Sequence, residues 1–152
     1  MTSDAHKPDK SGANSGPVVP SWVEIISADG HPLTYIIRGG HLPDHTIFLT
    51  PPEFKQQVGY VAYPAGGVIA RHMHVPIHRH LIGTSEVLVV LKGHAWIDVY
   101  DDAHGLVASR ELRAGDVMLM VGGGHGFRII EDAVFLEIKQ GPYEGLEEKE
   151  RF

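Results

Sequence analysis

The chain has 152 residues, long enough to bury a core within one domain. Its 13 Lys and Arg against 19 Asp and Glu give a formal charge of -6, which argues against a nucleic-acid or anionic-membrane partner. No cysteine is present, so disulfide scaffolds, thiolate metal sites and thiol catalysis are excluded.

Residues 1–20 are rich in Ser, Gly, Pro, Asp and Lys, with almost no apolar side chains. They read as a disordered tail, followed by a single domain over 21–152. The tail lacks the apolar core of a signal peptide, and no apolar run approaches a membrane span. A cytoplasmic protein is the default expectation.

From Trp22 onward, short Val-, Ile- and aromatic-rich runs alternate with Gly, Pro and Asp. The pattern predicts strands over 34–38, 58–63, 68–74, 86–91, 95–100, 106–112, 117–120, 126–130 and 134–139. Turn signals lie at 64–67, 92–93, 101–105 and 114–116. Residues 51–57 can hold one helical turn, and 144–152 a short helix or frayed end. Many short strands and no helical periodicity indicate an all-β sandwich or barrel. The run at 86–91 is apolar on both faces, with Val87, Val89 and Leu91 opposing Leu88 and Val90. Its outer face needs cover, either from a homodimer partner or from the chain's own N-terminal strands.

The histidines carry the chemistry. His72 and His74 sit two apart at the end of a strand-like run, so a strand turns both imidazoles to one side. His78 and His80 form a second pair, but Pro76 before them and Gly83-Thr84 after them suggest a loop. The earlier pair is preferred, because a strand holds ligands more precisely. Its rivals can line the mouth of a site. Glu86 shares its face with Leu88 and Val90, and a carboxylate there is costly unless paired or metal-bound. The alternative is a solvated rim position or a pair with Arg71 or Arg79. His125 lies in a glycine-rich run at 122–126 that can swing it inward. The other histidines sit beside turn residues. In the last strand, Glu137 and Lys139 share one face; they can reach the barrel, with Glu137 as an acid or base, but the preferred reading puts Leu136 and Ile138 inside and Glu137 and Lys139 outside.

These clusters resemble the cupin family. Its first motif, G-x5-H-x-H-x3-4-E-x6-G, is matched by Gly66, His72, His74, Glu86 and Gly93. The residues 75–85 form a longer gap than the motif has. Of its second motif, G-x5-P-x-G-x2-H-x3-N, Gly115 and His125 match in kind. Val121 replaces the proline, the histidine arrives one residue early, and Ile129 stands at the asparagine. More narrowly, the chain is similar to small bacterial single-domain cupins. The matching runs are His72-Met-His74, 79–86, 123–127, 139–143 and 149–152, and that pattern has no counterparts of His78 and His80. The resemblance spans Trp22 to Phe152.

It implies a double-stranded β-helix, or jelly-roll barrel, holding a divalent transition metal on His72, His74, Glu86 and His125. Three imidazoles and a carboxylate suit Fe, Mn, Ni, Co or Zn. Relatives of this kind include dioxygenases, sugar isomerases and epimerases, decarboxylases, sugar-binding regulators and storage proteins. The expectation is a metal-dependent enzyme on a small sugar, keto or carboxylate compound, with Arg79 either clamping an anionic substrate group or held in a loop salt bridge. The alternatives are a non-catalytic binding or sensing protein, and a metal-free cupin using its histidines as acid and base.

Overall fold

In the computed structural model, residues 19–142, 145 and 149–152 are described. Nearly all of the expected tail, and part of the expected C-terminal helix, lie outside them. Val19, within the expected tail, already packs against the core.

Eight strands follow one another: β1 (Val23–Ala28), β2 (His31–Ile37), β3 (Ile47–Phe48), β4 (Gly59–Tyr60), β5 (Glu86–Tyr100), β6 (Leu106–Arg113), β7 (Val117–Met120) and β8 (Gly124–Lys139). No helical element occurs among the described residues, and none long and apolar enough to cross a membrane. Residues 51–57 form turns rather than a helical turn, with Phe54 N donating to Pro51 O at 3.1 Å. The main sheet runs β1-β2-β7-β5-β6, and β8 pairs with β5 along its other edge. All these pairings are antiparallel. The result is a curled sheet, a half-barrel.

The curl is built into β5. Where the sequence suggests two strands parted by a Lys92-Gly93 turn, β5 runs through, and β8 likewise joins the two expected strands at 126–130 and 134–139. The β5–β8 register slips between Val90 and Ala95. Inward positions change there from even (Leu88, Val90) to odd (Ile97, Val99), as a bulge requires. All four side chains meet in one core with Ile36, Leu112 and Met118, so the two halves of β5 face each other across it. Gly93 makes the bend possible. Its φ is +89°, and a Cβ there would lie 2.2 Å from Asp132 O. No other residue fits without moving β8.

A second core lies on the outer side of β2, β5 and β7. Tyr35, Ile37, Val87 and Leu119 pack there against Leu49, Phe54, Val58 and Tyr60. Apolar residues on both faces of β5 thus have a source of cover in the chain itself. Asp116 pins the β6–β7 turn. It is 7% exposed, and its carboxylate accepts from Gly39 N (2.8 Å), Arg113 N (3.1 Å) and Arg38 Nη1 (3.0 Å).

One expected strand is missing. Residues 68–74 have no strand pairing, and the whole segment from Tyr63 to Thr84 is exposed. Gly66 does make its turn, with φ +82° and Gly67 N bonded to Pro64 O at 3.0 Å. Beyond it Val68 (89% exposed) and Met73 (88%) stand in solvent. An alternating run becomes a strand only against a partner edge, and this one has none here. Such an edge exists: among the described residues β8 pairs with β5 alone. Residues 58–63 shrink similarly to the two-residue β4, paired only with β3.

Candidate functional site

The bend brings the two ends of β5 to one mouth of the half-barrel, and with them Glu86 and His125. Glu86 opens β5 on the inward face and is 9% exposed. His125 is second in β8 and pairs with Val99, itself an inward residue. Glu86 Oε2 and His125 Nε2 are 3.3 Å apart. Glu86 is therefore not at a solvated rim, nor paired with Arg71 or Arg79. Its other oxygen faces Lys139 Nζ at 3.7 Å.

Burial is the main cause that pushes the His125 pKa below the ordinary histidine value. The Glu86 carboxylate opposes this, the Lys149 charge adds to it, and Glu137 opposes it more weakly. A neutral imidazole beside a buried carboxylate can accept a proton or bind a metal. Gly123 permits the approach of the loop before His125. It has φ +63°, and a Cβ would sit 2.2 Å from Tyr100 O.

Two residues near this pair point opposite to expectation. Glu137 pairs with Leu88, and Lys139 with Glu86, so both take the inward face. Lys139 Nζ lies 2.9 Å from Glu137 Oε1. Leu136 and Ile138 pair with Val89 and Val87 on the outer face and remain about half exposed. The reversal has one cause: facing along β8 follows its register on β5.

The other sequence candidates stay apart. His72 and His74 lie on the exposed segment with ring centroids 5.5 Å apart, and His72 Nδ1 is 2.9 Å from Ala70 O. Arg79, His78 and His80 are exposed on the same segment. Among the described residues no three His, Asp or Glu side chains converge as a metal site. His94, expected in a turn, lies within β5 with Nε2 2.7 Å from Glu111 Oε1.

Glu86 and His125 line a cavity of about 980 Å³, together with Tyr100, Met120, His104 and Phe152. His104 and Phe152 gave no chemical signal in sequence. They meet only because the β5–β6 turn lies beside the described end of the chain.

The Glu86–His125 spacing suits two donors on one ion. Ligands about 2.0–2.2 Å from a metal stand roughly 3.0–3.4 Å from each other at tetrahedral or octahedral angles. Fold and site together define an all-β half-barrel with a carboxylate–imidazole pair at its mouth. Comparison with family models, characterised proteins and solved structures gives no match.

Proposed function

We propose that the chain is a cupin-type metal protein acting as an enzyme on a small polar metabolite. The observation that carries the reading is the buried Glu86 carboxylate 3.3 Å from the His125 imidazole, lining a large cavity. His72 and His74 would complete the site if residues 66–74 settled antiparallel along the edge of the first half of β8 that no described strand occupies. That strand would end at the mouth, leaving residues 75–85 to cross to Glu86. Its even-numbered residues would then face inward beside His125. The bound ion, one of Fe, Mn, Ni, Co or Zn, would polarise a substrate oxygen or activate water.

The rest falls to the protein's own groups. His125 and Glu86 hold their donor atoms toward the cavity. Glu137 and Lys139, 2.9 Å apart beside the pair, can give and take protons at a bound substrate. Such groups favour an enzyme over a passive binder. Arg79, on the segment that moves, can reach an anionic substrate group at the mouth. The test is metal content by elemental analysis, followed by oxygen uptake and turnover with small keto and sugar compounds. Stoichiometric metal lost in the His72→Ala and Glu86→Ala variants supports the reading; wild-type protein that neither carries nor takes up metal overturns it.

A further inference from the structure

We propose that residues 149–152 form a displaceable strap that narrows the mouth, leaving the His125 side chain 29% exposed, so that a substrate-sized molecule reaching Glu86 and His125 must first dislodge Phe152. The Phe152 ring stacks on His104 with centroids 4.0 Å apart and planes within 2°. It meets Tyr100 edge-on at 5.2 Å and 87°. Both platforms belong to the β5–β6 turn: Tyr100 ends β5, and His104 holds a left-handed backbone at φ 65°. The third wall is Gly124, at the start of β8. A Cβ there would lie 2.9 Å from Phe152 Cζ, so this position leaves room for the ring. Glu150 adds a contact, its Oε1 being 3.8 Å from His104 Nε2.

The strap residues line the same cavity as Glu86 and His125. Lys149 stands close enough for its charge to act on the His125 imidazole. The closure is a loose one. Phe152 keeps 63% of its exposure, and the Glu150 side chain 79%. Aromatic and ionic contacts that stay this wet hold a segment weakly, which suits a strap that must open. A planar or aromatic part of an incoming ligand can take the place of the Phe152 ring between His104 and Tyr100. The strap stands independently of the metal reading, because it concerns only access to the cavity.

The test is residue-resolved acylation of histidines by diethyl pyrocarbonate, with chelator present, read by mass spectrometry. Phe152→Ala removes the ring. His104→Asn removes the platform while tolerating the left-handed backbone. Both variants should acylate His125 several-fold faster than wild type, with exposed His45 unchanged as the reference. His94, whose side chain is only 12% exposed, verifies that each variant is folded. If Phe152→Ala also uncovers His94, His104→Asn decides. An unchanged His125 rate, even with His104 itself reacting faster, overturns the proposal.

Discussion

Glu86 and His125 are 3.3 Å apart, although their ladder partners Lys139 and Val99 stand near opposite ends of the β5–β8 pairing. Only a ribbon folded back on itself gives that distance. The site is thus a consequence of the bend at Gly93, and the bend can be tested first.

Gly93→Ala should destabilise the protein by about 3 kcal/mol or more, combining left-handed strain with displacement of the Asp132 backbone. Gly126→Ala, where an added Cβ meets nothing within 4 Å, should cost far less. Urea denaturation of the two variants checks this. Equal midpoints would mean that the bend does not depend on Gly93.

The β6–β7 turn gives a second test. Asp116→Ala leaves the Gly39 and Arg113 amides and the Arg38 guanidinium without their shared acceptor. A loss of about 2–4 kcal/mol is expected by urea denaturation. A loss below about 0.5 kcal/mol would show that Asp116 is not what holds the turn.

Facing along β8 can be read by mutation as well. Leu136→Lys places a charge on the half-exposed outer face and should change stability by no more than about 0.5 kcal/mol. Phe135→Lys points into the core cluster around Leu88 and Val90 and should cost about 3 kcal/mol. The opposite order would restore the facing expected from sequence, with Leu136 inside.

That expectation failed for a physical reason. Alternation along 134–139 leaves two facings open, and the choice depends on register with β5. Register depends in turn on a bulge that removes local periodicity at 90–95. Other features were legible because they are local. β7 matches the expected 117–120, and Glu86 shares the inward side of Leu88 as its parity implies. The glycines before His125 do form an unusual turn. The run at 68–74 carries a strand's alternation, but strand formation needs a partner edge, which sequence alone does not supply.

The His125 imidazole gives a pH test. Its folded pKa lies below the unfolded value near 6.5. Between those two values the unfolded chain binds a proton that the native state refuses, so stability falls as pH falls. Its contribution is complete above the unfolded value and declines through the window just below it. In the presence of chelator, wild type should lose more stability between pH 7.5 and 5.5 than His125→Gln. Parallel losses in the two proteins would contradict this account of the site.

The central claim is that Glu86 and His125 are half of a metal centre completed by His72 and His74. Elemental analysis of purified wild type beside His72→Ala, His125→Ala and the double variant His78→Ala/His80→Ala tests it most directly. The account predicts near-stoichiometric transition metal in wild type and in the double variant, and loss of most of it in the two single variants. A wild-type protein free of metal, or equal loss from both histidine pairs, would contradict it.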